Sequence, residues 1–278
     1  MTALRLSTIR VEKPWGRKQL WPGFADADGP LVGEIWYEAP AAVAPELLIK
    51  YLFTSERLSI QVHPDDLAAR AAGYPRGKDE AWVVLAAEPD STIALGLTHA
   101  VTRDALRAAA LDGSIETLVD WRPVKAGDFI YSPAGTIHAI GAGVTIIEVQ
   151  QNLDLTYRLY DYGRPRELHL DAGVAVADPV PFSHESQPIE QSAGRTILCA
   201  GSKFVMERWT WEGTRIVDLP AAVNGWLIAV TGSGALNAAA LVAGDCWLLN
   251  GITRLTLNAG TEVLFAYPRT TPLPDIFG

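Results

Sequence analysis

The sequence has no apolar run approaching the roughly 20 residues that cross a bilayer as a helix, although 49% of its 278 residues are hydrophobic. No membrane span is expected, and the apolar residues are left for a sizeable core. The start, Met1-Thr2-Ala3-Leu4-Arg5, has no apolar stretch of the secretory kind, so a cytoplasmic protein is expected. Cysteine is scarce. Cys199 and Cys246 stand at no metal-ligand spacing, and their apolar surroundings read as buried free thiols. No basic block occurs and the formal net charge is −9, which argues against a nucleic-acid partner. A Gly-rich phosphate loop, a Gly-x-Ser-x-Gly elbow and a Cys-x-x-Cys pair are also missing, so the usual carriers of P-loop, serine-hydrolase and dithiol chemistry are absent. An acidic protein repels phosphate at long range. Any phosphorylated ligand therefore requires Lys or Arg residues gathered at its site.

Glycine (24) and proline (18) are frequent, and short apolar runs alternate with turn signals, which reads as a β-rich chain. Strands are expected at Leu31–Tyr37, Leu58–His63, Ala81–Leu85, Thr92–Leu97, Asp128–Ser132, Thr145–Gln150, Leu227–Val230, Cys246–Leu249, Arg254–Asn258 and Val263–Tyr267. In Leu58–His63, alternation puts Leu58, Ile60 and Val62 on one face and Ser59, Gln61 and His63 on the other. Two helices are expected. Asp65–Ala72 follows a proline, and Thr102–Val119 opens on Thr102 as an N-cap, with Leu106, Ala109 and Ala110 at helical spacing. The polar, proline-bearing stretch from Val180 to Gly194 is the best boundary candidate, dividing 1–185 from 186–278. Gly127-Asp128-Phe129-Ile130-Tyr131-Ser132 has a faint echo in Gly244-Asp245-Cys246-Trp247-Leu248-Leu249, with no histidine after the second copy.

Two of the five histidines fall in informative places. In Gln61-Val62-His63-Pro64, residues two apart on a strand share a face, so Gln61 and His63 can reach one point. In Gly127–His138 a Gly-Asp turn enters a strand, Pro133-Ala134-Gly135 bends it, and His138 follows the bend. This segment resembles the second cupin motif, G-x5-P-x-G-x2-H. In the first cupin motif, Gln61 would take the first histidine place, His63 the second, Glu80 the glutamate place and Gly96 the glycine place. The resemblance implies an all-β fold with a few inserted helices: a cupin (jelly-roll) barrel followed by a second, smaller, metal-free β-barrel. It also implies that Gln61, His63, Glu80 and His138 converge on one divalent metal. Two imidazoles and a carboxylate suit zinc, the expected ion, and other first-row metals. His99, His169 and His184 read as ordinary histidines.

Further segments resemble the type I mannose-6-phosphate isomerases, in their short bacterial form. They are Trp15-Gly16, Gly33-Glu34 with Trp36, Leu47-Leu48-Ile49-Lys50, Leu58–Asp65, Gly77–Trp82, Gly127–Gly141, Glu148–Asn152, Thr156-Tyr157-Arg158, Tyr160–Arg164 and Glu167–His169. Arg17 and Leu153 depart from the family pattern, where glycine and serine are usual. The resemblance implies interconversion of mannose 6-phosphate and fructose 6-phosphate through a cis-enediol or enediolate. Such a reaction needs an electrophile, a carbon base and a phosphate anchor. Arg158 is implied to face the site; without the resemblance it reads as a surface arginine paired with Asp154 or Asp161. Glu148, in the apolar strand Val144–Val149, is the first candidate for the base, against a structural ion pair with a barrel lysine. Lys78, two residues before Glu80, is the rival, since a lysine beside a metal can have a lowered pKa. Ser59 and Lys50 are candidates for phosphate or hydroxyl contacts. The expected partner is a small sugar phosphate, with a monomer the simplest state. Another cupin enzyme, such as an iron-dependent dioxygenase, and a non-catalytic sugar-phosphate-binding protein remain the alternatives.

Overall fold

The strand Leu47–Phe53 is apolar on both faces except at Lys50, and that pattern fits a sheet covered on both sides. Leu47, Ile49, Tyr51 and Phe53 point into one core. Leu52 enters another, and Lys50 lines a cavity on Leu52's side. The computed structural model describes residues 3–277 and resolves this strand as part of two stacked pairs of sheets.

The strands are β1 (Ala3–Arg5), β2 (Ser7–Arg17), β3 (Val32–Glu38), β4 (Leu47–Phe53), β5 (Ile60–Val62), β6 (Glu80–Ala87), β7 (Thr92–Leu97), β8 (Val119–Pro123), β9 (Phe129–Ser132), β10 (His138–Ile140), β11 (Val144–Gln151) and β12 (Tyr157–Tyr160). They continue as β13 (Ile189–Ser192), β14 (Arg195–Ala200), β15 (Val205–Trp209), β16 (Gly213–Asp218), β17 (Asn224–Thr231), β18 (Ser233–Leu236), β19 (Ala239–Val242), β20 (Cys246–Asn250), β21 (Ile252–Leu257) and β22 (Glu262–Tyr267). A six-stranded sheet, β2-β3-β4-β11-β6-β9, faces a five-stranded one, β12-β5-β10-β7-β8. All pairings are antiparallel. Together they make the first cupin barrel. A seven-stranded sheet, β1-β20-β17-β22-β15-β14-β13, and a four-stranded sheet, β16-β21-β18-β19, enclose a second core containing Trp209, Leu227 and Phe265. The N-terminal strand β1 thus pairs with β20, far along the chain.

The six- and seven-stranded sheets pack back to back. Ile49, Tyr51, Val83 and Ile147 meet Phe204, Met206, Trp226 and Leu264 in one core. The free thiols Cys199 and Cys246 are buried in it, and burial pushes Cys199 up to about 12.

The first helix, α1, spans Asp66–Ala71, with Asp65 Oδ1 capping Ala68 N–H at 2.7 Å. The expected Thr102–Val119 helix is broken. Thr102 caps α2 (Arg103–Asp112). Gly113 then takes the left-handed conformation at φ +85° that commonly ends a helix. A short α3 (Ile115–Leu118) follows before β8. A further helix, α4 (Leu170–Val176), packs on β12. Among the described residues no helix is long and apolar enough to cross a membrane.

The echo noted in the sequence is a repeated turn. Lys125 N–H donates to Asp128 Oδ2 at 2.9 Å, and Val242 N–H donates to Asp245 Oδ2 at 3.1 Å. Each aspartate follows a positive-φ glycine, Gly127 or Gly244.

Candidate active site

Two facing rows of side chains build the site. On the five-stranded sheet, His138 of β10 stands opposite Gln61 of β5, which stands opposite Arg158 of β12. On the six-stranded sheet, Trp36 pairs with Lys50, Lys50 with Glu148, and Glu148 with Trp82. These residues share a strand with apolar neighbours, but alternation aims them into the barrel while the neighbours face the outer cores. Leu58 departs from the expected face. It lies ahead of β5 and, with Ser59 and Gln61, lines the cavity between the sheets.

The bend carrying His138 is anchored on the strand carrying His63. Gly135 N–H donates to the His63 carbonyl at 2.9 Å. Gly135 has φ +89°, and a Cβ there would lie 2.6 Å from Asp178 Oδ2, so a side chain is excluded by both backbone and space.

His63, Glu80 and His138 are all buried, and their donor atoms lie within 4.8 Å of one another. His63 Nε2 is 3.3 Å from Glu80 Oε1, and His138 Nε2 is 3.4 Å from Glu80 Oε2. Each ring's Nδ1 meets a backbone carbonyl at 2.9 Å, Leu155 for His63 and Thr136 for His138. A carbonyl only accepts, so Nδ1 carries the proton and Nε2 keeps its lone pair. Burial, together with nearby Lys78, pushes His63 down to about 3, and burial lowers His138. Both rings are thus held neutral. Burial alone would raise Glu80, but Lys78 and the two histidines hold it well below the usual carboxylate range. Glu80 Oε2 is buried with no hydrogen-bond partner among the described residues. Two neutral imidazoles, an ionised carboxylate and an unsatisfied oxygen fit a divalent metal, with the Nδ1 bonds orienting the ligands. Gln61 Nε2 lies 3.2 Å from His138 Nε2.

Lys78 Nζ is 2.9 Å from Glu80 Oε1. Burial pulls its pKa down, yet the Glu80 and Glu148 carboxylates outweigh burial and hold it above the ordinary value. Glu148 is raised, first by burial and then by Glu80, against the pull of Lys50 and Lys78. Its Oε1 sits 3.4 Å from Lys50 Nζ, and its Oε2 accepts from Trp82 Nε1 at 3.0 Å. Lys50 Nζ also lies 4.4 Å over the Trp36 ring. Arg158 is half-buried; its Nη1 donates to the Glu167 carbonyl at 2.7 Å and its Nε has no partner. Arg166, bound to Asp161 through both carboxylate oxygens, lines the same cavity.

That cavity is about 440 Å³ and takes in Lys50, Ser59, Gln61, Lys78, Glu80, Glu148 and Arg158. His63 and His138 sit behind Glu80 and Gln61. Lys13, Glu34, Trp36, Asp154, Thr156 and Arg166 also line it and were not among the expected site residues. Glu34 and Trp36 carried a usable signal, since they alternate on the apolar strand β3 as Glu148 does on β11. Lys13 and Arg166 carried none. His99 and His184 are exposed, and His169 accepts from Arg158 N–H through Nδ1 at 3.2 Å.

No family model matches the chain. A mannose-6-phosphate isomerase of Streptococcus mutans is 36% identical over 193 residues, which is 65% of this chain and 59% of that protein. The chain thus spans less than two thirds of that relative. GmuF of Bacillus subtilis, named a probable mannose-6-phosphate isomerase, is 36% identical over 258 residues, 85% of this chain and 77% of that protein. The crystal structure of a Bacillus subtilis mannose 6-phosphate isomerase superposes with a TM-score of 0.82 at 25% identity, covering 96% of this chain and 99% of that one. A phosphomannose isomerase variant from Salmonella typhimurium, 14% identical with a TM-score of 0.76, shares the fold.

Proposed function

The chain belongs to the mannose-6-phosphate isomerase family, and from that premise we propose that it interconverts mannose 6-phosphate and fructose 6-phosphate through an enediol or enediolate. The observation that carries this reading is the meeting of the His63–Glu80–His138 donor set with Lys50, Lys78, Glu148 and Arg158 around one cavity. An aldose–ketose isomerase uses every one of those groups.

His63, Glu80 and His138 would hold one divalent ion, zinc by donor chemistry, and Gln61 would join them if its amide turned to present its oxygen. Bound there, such an ion supplies Lewis-acid polarisation of the sugar's C1 and C2 oxygens. Glu148 acts as the carbon base, because burial and Glu80 raise its pKa toward the working range of a base. Lys78, held charged by Glu80, is a proton donor to a developing oxyanion. Arg158 stabilises the enediolate with its planar fork. Ser59 and Lys50 make contacts to the phosphate or the hydroxyls, the cavity's cations offsetting the protein's overall negative charge.

We propose residues 1–185 as the catalytic unit and 186–278 as a metal-free barrel that borrows β1. This division is supported by the separate sheets and the separate core of the second barrel. A cytoplasmic, monomeric enzyme is the simplest setting. The test is an assay coupled to fructose 6-phosphate formation, run with added divalent metals. Turnover that depends on metal and falls in Glu148→Gln supports the reading. Oxygen consumption with a cupin-type substrate and no isomerisation would put an oxygenase in its place.

A further inference from the structure

The segment that carries Lys78 and Glu80 is short and irregular, and its backbone is fastened at successive residues. Gly77 N–H donates to Asp66 Oδ1 at 2.8 Å, and Lys78 N–H to the Pro64 carbonyl at 3.0 Å. Asp79 and Gln151 exchange two bonds: Asp79 N–H to Gln151 Oε1, and Gln151 N–H to the Asp79 carbonyl, both at 3.0 Å.

Alternation sends Lys78 and Glu80 into the first barrel and Asp79 the opposite way, toward the second. There the Asp79 carboxylate, 2% exposed, meets the hairpin tip between β14 and β15. Ser202 Oγ donates to its Oδ2 at 2.7 Å, and Tyr131 OH donates to the same oxygen. Ala134 N–H donates to Oδ1 at 3.0 Å. Each of these donors is uncharged, so the carboxylate is held by hydrogen bonds alone, of the stronger charge-assisted kind. The next residue of the same tip reaches the other side of the segment. Lys203 Nζ lies 3.0 Å from Asp66 Oδ2, and Asp66 is the residue that holds Gly77. The tip comes close because Gly201 lacks a side chain; a Cβ there would lie 2.4 Å from Tyr131 Cζ.

We infer that the Gly201-Ser202-Lys203 tip of the second barrel is part of the active site's support: through Asp79 and Asp66, which act as positioning residues, it clamps the segment that aims Lys78 and Glu80. The inference rests on the proposed isomerase reading for what Lys78 and Glu80 do, and on geometry alone for how they are held. It gives the second barrel a role although none of its described residues lines the cavity.

The test uses the full chain and three measurements: steady-state kinetics, zinc affinity by competition with a chromophoric chelator, and the urea unfolding midpoint. Ser202→Ala and Asp79→Ala are expected to lower kcat about tenfold, and to weaken zinc binding by a similar factor, as loss of outer support does at metal sites. KM should stay within about twofold, because the groups that bind ground-state substrate are untouched. Asp79→Asn should restore most of the loss. Its oxygen can still accept from Ala134, and its amide can donate to the Tyr131 and Ser202 oxygens. If Asp79→Ala does not fold, Ser202→Ala and Lys203→Met carry the comparison. Unchanged kcat and zinc affinity in the folded variants overturns the inference. So does a loss that follows only the folded fraction, with no rescue by asparagine. If the native chain does not isomerise mannose 6-phosphate yet Ser202→Ala still weakens zinc binding, the activity reading falls and the positioning role stands.

Discussion

Trp82 and Glu148 stand opposite each other on β6 and β11, and the indole N–H donates to the buried carboxylate at 3.0 Å. That bond favours the ionised form of Glu148, against the burial and the Glu80 repulsion that raise its pKa. Trp82→Phe keeps an aromatic ring and removes the donor, leaving a buried oxygen short of a partner at a cost of about 1–3 kcal/mol, with a cavity cost added. The sign follows directly. The base must be ionised to act, and losing a donor raises its pKa further, so the acid limb of the kcat profile should move to higher pH. A pH–rate profile checks this. An unmoved acid limb would remove Glu148 from the role of base.

The metal reading predicts a stoichiometry. Elemental analysis should find about one transition metal per chain, as for a single His/carboxylate site. His63→Ala and His138→Ala should each strip it, since each leaves too few ligands. Chelation should lower the thermal midpoint of the native chain but not of the His63→Ala/His138→Ala double variant, because binding to the folded state is the source of that stabilisation. Equal shifts in both would mean the chelator acts elsewhere.

Arg158 has a buried, unpartnered Nε and an Nη1 already committed to the Glu167 carbonyl. The fork is thus oriented with donors to spare. Arg158→Lys keeps the charge and loses the planar pair of donors, so kcat should fall about tenfold or more while KM moves less. A variant with native kcat and weakened KM would make Arg158 a ground-state anchor instead.

Much of this site is legible in the sequence, and the reasons are physical. His63 and His138 stand in motifs with fixed local geometry, a strand end and a glycine bend, and it is the resemblance to the two cupin motifs that implies their meeting, which the β5–β10 pairing brings about. Glu148 announces itself as a charge within an apolar strand, whereas Lys50 enters through the family resemblance alone. What stayed hidden depends on distant pairing. Lys13 and Arg166 reach the cavity only because β2 and the loop after β12 fold over it. The bond of Asp79 to Ser202 spans 123 positions. The pattern over 102–119 does not show where the helix ends, because Gly113 can sit within a helical pattern as well as end one. The pairing of β1 with β20 carries no local signal at all.

The second barrel offers a prediction independent of the chemistry. Arg195 binds Glu207 through two bonds of 2.7 Å, Nε to Oε2 and Nη2 to Oε1, and Glu207 is fully buried. Trp209 Nε1 and Tyr267 OH also donate to Glu207, at 2.8 and 2.6 Å, while Arg195 reaches the carbonyls of Leu273 and Pro274. The pair therefore ties the C-terminal segment to the strands that enclose this core. Glu207→Gln preserves the shape but leaves a buried guanidinium without its countercharge, which should cost about 3–5 kcal/mol. Replacing both partners by apolar residues, Arg195→Met with Glu207→Leu, removes the uncompensated charge but takes the partner from Trp209 Nε1, Tyr267 OH and the two carbonyls, so it should recover only part of that loss. Urea midpoints of the single and double variants give the coupling. Metal content per folded chain should stay at the native value throughout, since the pair bonds neither to the His63–Glu80–His138 set nor to the 201–203 tip. A Glu207→Gln chain that keeps its native midpoint and loses metal would show the pair serving the site rather than the fold.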